Sequence, residues 1–154
     1  MFLTIYNLIM GVKIFYQVRI KVTEDVSKDI RENINTKVTK KIFDLADKFD
    51  VRLVCTLDAF CDYCREIEES GEDKGPLYKW TKDVIANPEK KIKHSKSFAF
   101  YKGSDQIYEK ALAEALYSDL RKLLKLEIIK DVKLYDNDLK SNPQPPKKYF
   151  IDKI

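Results

Sequence analysis

One histidine, four glycines and three cysteines are all that this chain of 154 residues offers of three residue types that often carry chemistry or phosphate binding. With His94 alone, no two-histidine metal motif forms within one chain. A Ser-His-Asp triad would have to use His94 too, and neither Ser95 nor Ser97 has the glycines of a nucleophile elbow. Gly11, Gly71, Gly75 and Gly103 make no phosphate-loop spacing, so nothing points to ATP, GTP or a dinucleotide, and no cofactor is expected. Cys55, Cys61 and Cys64 are too few and too clustered for a disulfide framework, which points to a reducing, cytoplasmic setting. No apolar run reaches the roughly 20 residues of a membrane span. The opening MFLTIYNLIM is about half that length and lacks the basic flank and cleavage site of a signal peptide, so no membrane partner is expected.

What is present is a core and a dense charged surface. Hydrophobic residues make up 44% of the chain and charged residues 35%, which excludes a disordered or membrane-embedded protein. The net charge of +4 does not by itself imply a nucleic-acid partner. The charge-rich, lysine- and isoleucine-heavy composition is that of a thermophile protein.

Hydrophobic periodicity orders the chain. Residues 12–22 alternate, with Val12, Ile14, Tyr16, Val18, Ile20 and Val22 on one face and Lys13, Phe15, Gln17, Arg19 and Lys21 on the other, as in a half-buried strand. A long helix follows from the cap Thr23 to Phe49, with a weak stretch at Asn33 to Thr36 that interrupts it. A second strand is expected over Val51 to Phe60, then short helices at Cys61 to Ser70 and Leu77 to Ala86. Lys96 to Lys102 reads as a third strand, Ser104 or Asp105 as the cap of a helix ending at Leu124, and Glu127 to Tyr135 as a fourth strand. One α+β domain is expected over 10–140, with 1–9 as an N-terminal extension or edge strand and 141–154 as a proline-rich tail. The order strand, helix, strand, elaborated connection, strand, helix, strand matches a ferredoxin-like split βαβ sandwich, with the extra connection between strands two and three. In that arrangement strands one and three are central neighbours and one sheet face is free.

The third strand carries Lys96-Ser97-Phe98-Ala99-Phe100-Tyr101, so alternation puts Lys96, Phe98, Phe100 and Lys102 on one side, with Ala99 and Tyr101 on the other. Beside strand one, Phe15 would approach Phe98 and Phe100, ringed by Lys13, Arg19, Lys21, Lys96 and Lys102. Rings interleaved with cations on an open sheet suit unstacked bases and their phosphates. The competing expectation packs Phe98 and Phe100 under the extra connection or against a second copy of the chain, as a homodimer.

These same residues carry a family resemblance. The stretch from Lys96 to Tyr101 resembles the third-strand aromatic motif of RNA-recognition-motif domains, and Ile14-Phe15-Tyr16 is similar to the first-strand motif. Val22 to Val26 resembles the start of that family's first helix, and Tyr108 to Leu116 its second. The resemblance implies a ferredoxin-like fold and contacts of Phe15, Lys96, Phe98 and Phe100 with bases or backbone. The sequence departs from the pattern at Val18-Arg19, at Gly103 and in the long connection from Cys61 to Ser95. The function expected is single-stranded nucleic-acid binding through Phe15, Arg19, Lys96, Phe98, Phe100 and Lys102.

Two enzyme alternatives, and a purely structural or interaction role, stand beside it. Asp58 late in the second strand, followed by Glu89-Lys90-Lys91, resembles metal-dependent PD-(D/E)xK nucleases. Under that resemblance Asp58 and Glu89 hold Mg²⁺ and Lys91 positions the attacking water. Cys61-Asp62-Tyr63-Cys64 resembles the active site of thioredoxin-like oxidoreductases, in which Cys61 at a helix N-terminus attacks and Cys64 resolves. Cys55, Cys61, Cys64 and His94 are the residues of a Cys₃His zinc set, but Cys55 sits between Leu53 and Leu57 on the apolar face of its strand and reads as core, and no metal is assigned. The favoured expectation leaves all three thiols as small buried or half-buried packing groups.

Overall fold

The computed structural model describes residues 14–72, 74–136 and 145–150. It is an α+β structure of four strands and, among the described residues, six α-helices. Strand β1 (Tyr16–Lys21) leads into helices α1 (Glu24–Arg31) and α2 (Lys37–Lys48), then strand β2 (Arg52–Cys55). Helices α3 (Thr56–Ser70), α4 (Pro76–Ala86) and α5 (Pro88–Ser95) separate β2 from β3 (Ser97–Tyr101). Helix α6 (Lys110–Lys125) and strand β4 (Asp131–Asp136) follow, and a single 3₁₀ turn covers Lys147–Tyr149. The sheet order is β2-β3-β1-β4, every neighbouring pair is antiparallel, and β1 and β3 lie side by side at the centre. The N-terminal extension or edge strand expected over 1–9, and residues 141–144 and 151–154 of the tail, lie outside the described residues.

Local chemistry explains the breaks. The long helix expected from Thr23 to Phe49 is two helices, split at the weak stretch. Asn33 takes a left-handed conformation (φ 56°) that its short polar side chain tolerates. Thr36 and Thr39 then form a reciprocal capping box, in which the Thr39 backbone N–H donates to Thr36 Oγ1 at 3.0 Å and the Thr36 N–H to Thr39 Oγ1 at 2.8 Å. Strand β2 stops at Cys55, five residues short of the expected Phe60. Thr56, Leu57 and Cys64 are buried at helical spacing, and the helix they begin runs to Gly71, whose φ of 69° closes it. Lys90, Lys91 and Lys93 lie on α5, which opens on Pro88 and is capped by Asn87 accepting from the N–H groups of Glu89 and Lys90 at 3.1 Å each.

Residues 104–109 are not the first turn of a helix. Gly103 (φ 61°) turns the chain, and Tyr108 pairs with Tyr16 through two 2.8 Å backbone hydrogen bonds, prolonging the sheet beside β1. Helix α6 begins only at Lys110. In the tail, the described residues 145–150 pack on α4, where the Tyr149 hydroxyl donates to Asp83 at 2.5 Å.

Cross-strand partners share a face, so the register assigns every strand residue. Ile20 stands opposite Phe98 and Val132, Phe98 opposite Cys55, and Phe100 opposite Leu53. This face packs on α1, α2 and α6 through Ile30, Ile42, Ala46, Leu116 and Leu120. Phe98 and Phe100 are 1% and 0% exposed, and burying each ring contributes about 1.5–3 kcal/mol. The expected open platform of Phe98 and Phe100 is therefore corrected: both rings are at the centre of the core. The core that encloses them draws on both crossovers and also on the extra connection, through Leu57 and Ile85.

Candidate nucleic-acid interface

The second face of the sheet carries the other half of each strand. Arg19 stands opposite Ala99 and Lys133, Lys21 opposite Ser97 and Asp131, Gln17 opposite Tyr135, and Arg52 opposite Tyr101. Cations and aromatic rings are interleaved here. The Arg19 guanidinium carbon lies 5.1 Å from the Tyr135 ring centre, and that of Arg52 lies 5.1 Å from the Tyr101 ring centre. Such pairs are attractive through the ring quadrupole, and they hold two flat guanidinium groups against two flat rings. Gln17 fixes Arg19 further, accepting from its Nε at 2.6 Å while donating to the Gln106 carbonyl at 2.9 Å. Burial lowers the Arg19 pKa and raises that of Tyr101.

Helices α3, α4 and α5 lean over part of this face and enclose two cavities against it. One, about 210 Å³, lies between the sheet and α3 and α4, walled by Phe60, Tyr63, Leu77 and Tyr101 among others. The second, about 180 Å³, lies at α5, where Lys93 and His94 meet Lys21, Lys133 and Tyr135. Arg19 borders both. The His94 ring meets Phe60 edge-on at 5.1 Å. Burial, then the charges of Lys93, Arg19, Lys21 and Lys90, hold its imidazole below the ordinary value. One acid, Asp131, lines the second cavity, with its carboxylate 4.0 Å from the Lys133 ammonium.

Of the six residues expected to bind nucleic acid, Arg19 lies on this face. Phe98 and Phe100 do not, and Phe15 is half-buried ahead of β1. Lys96 is the C-cap of α5, where its carbonyl accepts from the Val22 N–H at 3.0 Å. Lys102 reaches the end of α2, donating to the carbonyls of Phe49 and Asp50 and to the Asp50 carboxylate at 3.2–3.4 Å. It thus serves the negative end of a helix. Lys13 is outside the described residues. The residues missed are Tyr101, Tyr135, Arg52, Lys133 and His94. The signal was in the same alternation: Ala99 and Tyr101 opposite Phe98 and Phe100, and Lys133 and Tyr135 on β4.

The nuclease set is not assembled as expected. Asp58 is not on a strand but in the first turn of α3, clamped by Arg31 through bonds of 2.6 and 3.0 Å. That hydrogen-bonded pair raises the Arg31 pKa. Glu89 and Lys91 are exposed on α5, where Glu89 occupies the positive first turn. Among the described residues no group of three or more His, Cys, Asp or Glu is gathered to hold a metal ion. Cys55, Cys61, Cys64 and His94 are not gathered into such a group.

The thioredoxin-like arrangement is corrected as well. Cys61 and Cys64 lie within α3, at its sixth and ninth residues, not at its N-terminus, so no helix end activates them. Cys61 is exposed and Cys64 buried, and burial pushes the Cys64 thiol up. Cys55 is buried, its thiol also raised by burial, and it donates to the carbonyls of His94 and Ser95 at 3.8 and 3.6 Å. Among the described residues no helix is long and apolar enough to cross a membrane. Comparisons with protein-family models, curated proteins and solved structures find no match.

Proposed function

We propose that the protein binds single-stranded nucleic acid on the second face of its sheet, within a ferredoxin-like split βαβ framework and in a reducing, intracellular setting. The carrying observation is the pair of guanidinium–ring contacts, Arg19 on Tyr135 and Arg52 on Tyr101, set side by side along one face. Flat rings accept bases of any sequence, while guanidinium and ammonium groups meet the phosphates between them. The sheet order β2-β3-β1-β4 supports the framework, because β1 and β3 then supply the middle of the face, as the resemblance to RNA-recognition-motif domains implies.

The test is a fluorescence-anisotropy titration with labelled 12-mers of single-stranded RNA and DNA at several salt concentrations. Affinity is expected to fall as salt rises, with a logarithmic slope of about −0.7 per phosphate neutralised. Tyr101→Ala should weaken binding by about 1–3 kcal/mol, the worth of one stacked base. No salt-dependent binding to any oligonucleotide, or full affinity in Tyr101→Ala, would contradict the proposal.

A further inference from the structure

The two cavities differ in chemistry and meet at one residue. The cavity beneath α3 and α4 is walled largely by aromatic and aliphatic groups, with Gln106 at its exposed rim. The cavity beside α5 is lined by Arg19, Lys21, Lys93 and Lys133, with the imidazole of His94 and one carboxylate, Asp131, which lies 4.0 Å from Lys133. Among the described residues no carboxylate is paired with Lys21 or Lys93. A largely apolar compartment and a mainly cationic one, bordered by the same arginine, suit the two halves of a nucleotide.

We propose that these cavities form a pocket for one nucleoside phosphate, with the base beside Tyr63 and Tyr101 and the phosphate among Lys21, Lys93 and Lys133. The inference rests on the reading of the second face as a single-strand surface and adds to it. A base turned out of the strand is captured under the inserted helices, where the open sheet alone would only let it stack. Arg19 stands between the compartments, its Nε held by Gln17, so that it is oriented before a ligand arrives. The inserted helices thereby gain a role: without α3, α4 and α5 neither cavity has its outer wall. The same chemistry would be met by a free nucleotide or by one nucleotide within a strand, and the probes below separate the two.

The experiment is calorimetric titration of the full chain with uridine 5′-monophosphate, ribose 5-phosphate, a six-residue oligouridylate and an abasic phosphodiester of the same length. The monophosphate is expected to bind about tenfold more tightly than ribose 5-phosphate, and the oligouridylate to exceed the abasic strand by at least as much. Ala59→Phe fills the base compartment from α3 and should abolish both preferences while leaving affinity for the abasic strand and the circular dichroism unchanged. Should Ala59→Phe fail to fold, Leu77→Trp narrows the same compartment from a residue 50% exposed at its rim. Lys93→Gln should weaken the monophosphate and ribose 5-phosphate by the same factor.

Equal affinity for monophosphate and ribose 5-phosphate, or base preference surviving in a folded cavity-filling variant, overturns the pocket. If oligonucleotides then still bind with salt dependence, the surface reading stands without it. A monophosphate that binds as tightly as the oligouridylate confirms the pocket, assigns it to free nucleotides and contradicts the strand reading. Absence of binding by every probe overturns both.

Discussion

Phe98 and Phe100 decide how this molecule is understood, because the same two rings would serve opposite ends on opposite faces. In the core they are structural. Phe98→Ala or Phe100→Ala should destabilise the fold by about 3–5 kcal/mol, measured by urea unfolding. On an open face the cost would be a small fraction of that. Two other residues report on their surroundings in other ways. Tyr108 is buried, its phenol pushed up to about 12, and its oxygen accepts the Val18 N–H at 3.2 Å. Tyr108→Phe strands that donor inside the sheet and should cost about 1–3 kcal/mol. His94 titrates low because burial and four cations disfavour its charged form. A depressed folded value gives stability that is full above the unfolded imidazole value, about 6.5, and is lost as pH falls from there towards the folded value. Thermal stability should therefore decline as the pH falls below about 6.5, and His94→Gln should make that decline shallower. An unchanged slope would show that His94 is not desolvated. For the thiols, alkylation in native buffer should modify Cys61 rapidly and Cys55 and Cys64 only on unfolding, with no closure to a disulfide.

At the scale of elements, period and punctuation were legible and faces were not. The alternation through Lys21, the cap at Thr23 and the weak stretch ending at Thr36 correspond to elements or breaks in the structure, and the helix expected to end at Leu124 is present but begins only at Lys110. Thr36→Ala removes one half of the capping box and should cost about 1 kcal/mol by thermal unfolding, which would measure how much that break is specified locally. The β2–α3 junction was misplaced because Leu57 and Ala59 satisfy a strand's period of two, while Leu57, Phe60 and Cys64 satisfy a helix's. Nothing within five residues separates the two patterns, and only the continuation to Ser70 does. The face error has a different cause. Alternation in β3 defines its two faces, but which of them meets Arg19 depends on the cross-strand register. That register pairs Arg19 with Ala99, and the alternation of a single strand does not contain it. A rule of size would have helped: on a two-sided sheet the face with Phe, Ile and Val belongs under the helices, and the face with Tyr, Arg and Lys against water.

For the whole molecule, the sheet has its core on one side and a partly roofed, cationic, aromatic face on the other. The first crossover, α1 and α2, and the second, α6, complete the core. The insertion of α3, α4 and α5 is tied down separately, by the Glu68 carboxylate holding Lys82 at 2.7 Å and the Tyr78 hydroxyl at 2.8 Å, and by the Thr56–Ser97 hydroxyl contact at 3.1 Å. Its helices build the outer walls of both cavities, so the part of the chain that departs most from the RNA-recognition-motif resemblance is also the part that would shape ligand choice. Ultraviolet cross-linking of a bound single-stranded oligonucleotide, followed by mass-spectrometric mapping of the attached peptides, tests the placement of the site most directly. Adducts are expected on the peptides containing Tyr101 and Tyr135, and on those of α3 that border the base compartment. Adducts confined to the outer surfaces of α1, α2 or α6, on the far side of the core, would contradict it.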